Sequence, residues 1–224
     1  MKIVGTLLII ALCLYWISAS ADPRAIEQAP DAPSNVEEVL ARLEEKVSAM
    51  QTLKADFIQE KKLAVLDRPL VLKGTIFMQK PDLFAWHVTE PLRYSMVIRE
   101  EIIRQWDEDT DHVEEISLSK NPAFKMAIAQ MRGWFSGAYK SMLGEYEVTV
   151  VEEDPISLEF IPRKASFARE AIDSLTVVFE SDESYIRQIR IMEKRGDSTL
   201  LTFVDTLLDS PIDPSAWKAE QRVQ

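Results

Sequence analysis

The side chains best suited to chemistry in this sequence are few and scattered. His87 and His112 are the two histidines. Neither stands in a His-Glu-x-x-His run or another ligand spacing, so no zinc site is indicated. His87 alternates with Trp86 and Val88 along an apolar stretch, which puts it on the opposite, solvent-facing side of a strand. His112 follows the acidic run Asp107-Glu108-Asp109-Thr110-Asp111. Those carboxylates imitate a calcium loop but lack its central glycine and closing glutamate, so a solvated turn is expected. There is no Gly-x-Ser-x-Gly elbow, phosphate loop or dinucleotide fingerprint. Gly74, Gly133, Gly137, Gly144 and Gly196 are dispersed, so no backbone cradle for phosphate is indicated. Acidic side chains are numerous enough for carboxylate pairs to arise by chance. The expectation is a protein that is not an enzyme and that needs no cofactor or metal.

The more telling residues are aromatic and sulfur-bearing. Phe84, Trp86, Tyr94, Met96, Met126, Met131, Trp134 and Phe135 all fall on apolar faces in the sequence pattern. Core packing explains any one of them. As a group they also suit an adaptable apolar cavity, because methionine repacks around varied ligands.

The N-terminus sets the compartment. Lys2 precedes a nearly unbroken apolar run from Ile3 to Ile17, and Ala19-Ser20-Ala21 then supplies small residues before Asp22. This is the layout of a secretory signal covering residues 1–21, and the run falls short of the ~20 residues of a permanent span. Cys13, the single cysteine, is preceded by bulky Leu12 and followed by more apolar residues, unlike a lipidation site, so it is expected to leave with the signal. The mature chain then has no disulfide and no thiolate chemistry. The formal charge of −11 becomes one unit more negative without Lys2. Such a surface repels nucleic acid and anionic headgroups, so no nucleic-acid partner is expected, and the protein is expected to be a soluble monomer.

Residues 22–33 carry three prolines with alanine and acidic residues and read as a leader. Residues 34–224 read as one domain. Ser34 and Glu37 have capping-box spacing, and Val36, Val39, Leu40, Leu43, Val47 and Met50 recur as one helical stripe. After Thr52 the period falls to two. Leu53, Ala55 and Phe57 share a face, as do Leu70, Leu72, Gly74, Ile76 and Met78. Phe84, Trp86 and Val88 follow, then Tyr94, Met96 and Ile98, then Ile102, Arg104 and Trp106. Residues 121–136 interrupt the strands as a helix with Pro122 first and Phe124, Ala127, Ile128, Met131, Trp134 and Phe135 on its apolar face. Strands resume at 146–151, 156–161, 174–180, 185–193 and 199–207. About ten antiparallel strands must curl to protect their edges, and the helices must bury their stripes on the sheet. The expected class is mainly β with helices (α+β): an unclosed antiparallel half-barrel with a helical lid, and a pocket between them if the lid packs loosely.

The stretch Thr52-Leu53-Lys54-Ala55-Asp56-Phe57-Ile58-Gln59 resembles the first strand of the outer-membrane lipoprotein carrier family (LolA-like). Gly74-Thr75-Ile76-Phe77 and Lys80-Pro81-Asp82-Leu83-Phe84-Ala85-Trp86 are similar to its next signature, and Glu90-Pro91 and Trp106-Asp107 follow in order. The resemblance runs from about Val36 to the C-terminus. It implies a periplasmic carrier that shields the acyl chains of lipoproteins between the inner and outer membranes. Its implied partners are acylated lipoproteins, an inner-membrane lipoprotein-releasing transporter and an outer-membrane acceptor. The implied cavity and lid residues are Leu43, Val47, Phe57, Leu72, Phe84, Trp86, Tyr94, Met96, Ile128 and Met131, with Lys80 as a lid contact. Two positions depart from the family pattern. Lys80 lacks the fork of an arginine, and Arg99-Glu100-Glu101 replaces an Asp-Gly turn. A carrier or sensor of another lipid or amphiphile in the same half-barrel is the alternative. A periplasmic enzyme and a purely structural domain rank below it.

Overall fold

The computed structural model describes residues 34–219. The signal and leader expected at 1–33 lie outside the described residues, as does the Ser34 side chain on which the capping box depends. Helix α1 (Ser34–Ala49) buries Val36, Leu40, Leu43 and Val47 on one stripe, each at most 2% exposed, and half-buries Val39. It leads into β1 (Thr52–Lys62), β2 (Leu70–Gln79), β3 (Leu83–Glu90), β4 (Tyr94–Arg99), β5 (Ile102–Asp107) and β6 (His112–Ser117). Helix α2 (Pro122–Ser136) follows. The second run is β7 (Tyr146–Glu153), β8 (Ile156–Pro162), β9 (Ile172–Phe179), β10 (Ile186–Glu193) and β11 (Ser198–Leu208).

All eleven strands form one antiparallel sheet in the order β6-β5-β4-β3-β2-β1-β11-β10-β9-β8-β7. The chain makes two meanders that meet where β1 pairs with β11 and that end at the free edges β6 and β7. The connection between those two edges is α2. A helix therefore stands where the barrel fails to close. Pro122 occupies the first turn of α2, where its missing N–H costs nothing. Gly137 ends it at φ 87, with its N–H donating to the Gly133 carbonyl. Gly133 stays within the helix.

Strand alternation matches the pattern in the first meander, where Leu53, Ala55, Phe57, Leu72, Ile76, Met78, Phe84, Trp86, Val88, Tyr94, Met96 and Ile98 join one core with both helices. Gly74 has a specific reason to be glycine. A Cβ there would sit 1.9 Å from the His87 carbonyl oxygen and 2.9 Å from Phe57 Cε1, so the Phe57 ring lies over a notch that only glycine leaves open.

Four expectations need correction. An eleventh strand, β6, was missed because its Glu114-Glu115 pair breaks any apolar alternation, as suits a charged edge; it also places His112 on a strand. In β5 the phase is reversed: Ile103 and Gln105 are buried toward the core, while Ile102 is 44% exposed and Trp106 is buried on the other face. The tandem Ile102-Ile103 left the register ambiguous, and a one-residue slip exchanges faces. Met126 is 54% exposed on the outer side of α2. Finally, His87 does not face solvent. The convex face there carries a second small core of Ala85, Val97 and Ala219, with Phe77, Val113 and Trp217 packed on it.

Candidate functional site

The concave face of the sheet and the helices over it bring the predicted residues together. Leu43, Val47, Phe57, Leu72, Phe84, Trp86, Tyr94, Met96 and Ile128 are all buried in one cluster, and Met131 is half-buried against it. Aromatic contacts run across it. The Phe57 and Trp86 rings are 4.3 Å apart between centroids, Phe84 lies 6.3 Å from Trp86, and Phe135 of α2 sits 5.9 Å from both Phe84 and Phe203. Phe135 therefore wedges the lid helix between β3 and β11. Sequence patterning placed Phe135 on an apolar face without showing that it bridges the two meanders; only the β1–β11 pairing reveals that.

A cleft at the rim, lined by Met78, Lys80, Pro81, Asp82, Leu83, Phe84, Arg132, Phe135 and Ser136, encloses about 30 Å³. That is room for a water molecule or so, whereas ligand pockets run to ~300–1,000 Å³. Residues of both helices pack against the concave face in one buried cluster.

Polar ties hold both helices to the sheet, and the β2–β3 turn takes part in ties to each of them. Lys80 Nζ donates to the carbonyls of Val47 at 3.0 Å and Ser48 at 2.8 Å, at the C-terminal end of α1 where the helix dipole favours a cation. Burial holds the Lys80 ammonium below its ordinary range, with Asp209 opposing that shift. In the opposite direction, Arg132 of α2 donates through Nη2 to the Glu100 carbonyl at 2.9 Å and the Asp82 carbonyl at 3.3 Å. An arginine is thus supplied to this rim from the lid rather than at position 80. Glu100 adopts φ 52 at the β4–β5 turn without the help of a glycine. The C-terminal half of α1 is also tied to the β9–β10 turn, where Arg42 and Lys46 both reach Glu183, at 2.9 and 3.2 Å. The Lys140 N–H donates to Glu44 at 2.6 Å.

The remaining polar groups in and around the core are structural ties. Tyr139 donates to the Trp134 carbonyl, and burial pushes its phenol far above its ordinary range. Burial likewise pushes Tyr146 up to about 12, against the opposing effect of its bond from Gln130. On the convex face His87 Nε2 lies 2.7 Å from the Ala216 carbonyl and Nδ1 lies 2.9 Å from Ser95 Oγ. Nε2 must carry the proton, leaving Nδ1 to accept from the serine. Among the described residues no group of three or more His, Cys, Asp or Glu side chains could hold a metal, and no helix is long and apolar enough to cross a membrane.

Residues 48–220 match the family described as "Outer membrane lipoprotein carrier protein LolA". The chain belongs to that family. It is 23% identical over 222 residues to the outer-membrane lipoprotein carrier protein of Pseudomonas fluorescens, covering 97% of this chain and 94% of that one. Among solved structures it is similar to an uncharacterized conserved protein from Thermus thermophilus, with a TM-score of 0.51 at 9% identity over 81% of this chain and 91% of that one. It is also similar to a chain of the Pseudomonas aeruginosa MucA/MucB complex, with a TM-score of 0.52 at 11% identity over 83% of this chain and 61% of that one. At these identities the two structures speak for the fold, a LolA-type unclosed sheet with helices across its mouth.

Proposed function

We propose that the protein is a periplasmic carrier that takes acylated lipoproteins from an inner-membrane releasing transporter, shields their acyl chains, and passes them to an outer-membrane acceptor. The observation that carries this is the pairing of a large apolar concave face with a lid held by a few polar ties. Burying lipid chains is worth ~0.8 kcal/mol per methylene. The same apolar face that now packs on α1 and α2 can supply that area once the helices swing away. Refilling the interior with Phe135, Ile128 and Leu43 then provides the competition that releases cargo. No step calls for catalysis, and the protein acts without a cofactor.

The reading is tested by purifying the protein from the periplasm of cells overproducing lipoproteins and analysing it by native mass spectrometry. Intact acylated lipoproteins should co-purify. Met131→Glu, which places a charge on the half-buried inner face of α2, should abolish this while leaving the protein folded. Free lipid alone in the wild type would favour a carrier or sensor of another amphiphile. An empty protein that also fails to take up a hydrophobic dye would overturn both.

A further inference from the structure

Two side chains on the concave face carry buried polar atoms that meet no polar partner. Gln59 is 1% exposed, and neither its Nε2 nor its Oε1 makes a hydrogen bond. Trp86 is 7% exposed, and its Nε1–H is likewise unpaired. Both point inward. Gln59 continues the buried alternation of Leu53, Ala55 and Phe57, and its cross-strand partners are Leu72 and Leu201. Trp86 is flanked by Ile76 and Met96. Phe57 links the two, standing two residues before Gln59 on the same face with its ring 4.3 Å from the indole ring.

Comparable side chains elsewhere in the sheet find partners, although Arg132 Nε and Thr206 Oγ1 are also unpaired. The other buried glutamine, Gln105, accepts from Tyr94 Oη at 3.1 Å and donates to Glu114 at 2.8 Å. The indole of Trp106 donates to Asp111 at 3.1 Å. Unpaired polar atoms in a dry interior oppose folding, and apolar residues of the same shape would remove that cost. The closed form therefore holds three unused hydrogen-bonding atoms on the very face that the lid covers.

We propose that Gln59 and Trp86 form a carbonyl-recognising element, which binds the ester and amide groups at the head of acyl chains and so selects acylated ligands over bare hydrocarbon. This rests on the carrier reading above. The two N–H donors, Trp86 Nε1 and Gln59 Nε2, suit ester and amide carbonyl oxygens. Gln59 Oε1 suits the N–H of an acyl amide. The apolar side chains around them take the chains. A free fatty acid fits less well, because its carboxylate would be buried among Leu72, Ile76, Met96 and Leu201.

The test compares two probes on protein purified from the periplasm and stripped of amphiphile. One is a dipalmitoyl-glyceryl-cysteine lipopeptide; the other is its dihexadecyl ether analogue, which lacks the ester carbonyls. The wild type should bind the ester about tenfold more tightly, as expected for paired buried donors. Gln59→Leu should bring that ratio toward one while holding ether affinity within about twofold, and Trp86→Phe should also lower the ratio. Gln59→Leu should also melt at a higher temperature than the parent. Equal wild-type affinities, or a ratio untouched by both substitutions, would overturn the proposal. If Trp86→Phe does not fold, Gln59→Leu and the wild-type ratio still decide. Uptake of neither probe would instead overturn the carrier reading.

Discussion

Lys80 Nζ lies 2.8 Å from the carbonyl oxygen of Ser48, so a charged donor in the β2–β3 turn holds the C-terminal end of α1. Arg132 grips the same turn from α2 through the Asp82 carbonyl. One short segment of chain thereby restrains both helices. It also borders the small rim cleft, where an opening lid would first admit an acyl chain.

Lys80→Met should loosen α1 without emptying the space its stem fills. Hydrogen bonds from a charged donor are worth about 1.5–3 kcal/mol. Lys80 is half-buried and its ammonium is partly desolvated, so a net loss of about 1 kcal/mol is expected. Hydrogen exchange at the Val47 to Met50 amides should accelerate, and uptake of a hydrophobic dye should quicken. Arg132→Met should do the same for α2. Unchanged exchange and uptake in the double variant would show that packing alone sets the lid.

Gly74→Ala tests the notch under Phe57. The added Cβ would lie 1.9 Å from the main-chain oxygen of His87, an atom fixed within the β2–β3 ladder. The strands must part, and a loss of about 3 kcal/mol is expected. Denaturant unfolding measures it directly. A loss below 1 kcal/mol would mean that β2 and β3 can shift at little cost.

The half-barrel was legible from the sequence because one face of most strands is apolar and the other polar, so that period two declares both strand and orientation. The failures share a cause. Where both faces are buried, alternation loses its meaning. Ala85, Val97 and Trp106 are buried on the convex side, and the residues that cover part of that side, Ala216 to Ala219, are more than a hundred positions away. His87 looked solvent-facing for that reason. The lid latch was only half legible: Lys80 stands in a recognisable turn, whereas Arg132 is one basic residue on a helix until the fold places Asp82 and Glu100 beside it. Gln59 lies within the very stretch that suggested the family, yet its lack of partners shows only once every neighbour is placed.

His87 should make the C-terminal turn pH-sensitive. Burial holds its pKa below the ordinary value of about 6.5, although the bond to the Ala216 carbonyl works the other way. The unfolded chain therefore takes up a proton more readily than the folded one. Stability from this group is complete above pH ~6.5 and declines as pH falls below that. Thermal melts of wild type and His87→Gln should accordingly converge on acidification, the wild type losing more. Parallel pH profiles would show that folding leaves the ring's affinity for a proton unchanged.

The acidic clamp on the C-terminal half of α1 responds in a lower window. Burial pushes the Glu183 carboxyl up, but the bonds from Arg42 and Lys46 outweigh it and hold the group below its usual range. Its contribution is present above the ordinary glutamate value of about 4.3 and is lost as pH falls through the folded value. Arg42 and Lys46 are nearly half exposed, so solvent screens the pair and Glu183→Gln should cost less than about 1 kcal/mol. The larger effect should be local. With Glu183 neutralised, the turns of α1 around Arg42 and Lys46 keep their apolar contacts but lose this polar anchor, so amide exchange there should rise about tenfold or less. Raising the ionic strength should reproduce part of that rise in the wild type and none in the variant. If salt accelerates both equally, Glu183 does not anchor the helix, and Lys80 with the packed core is what holds it down.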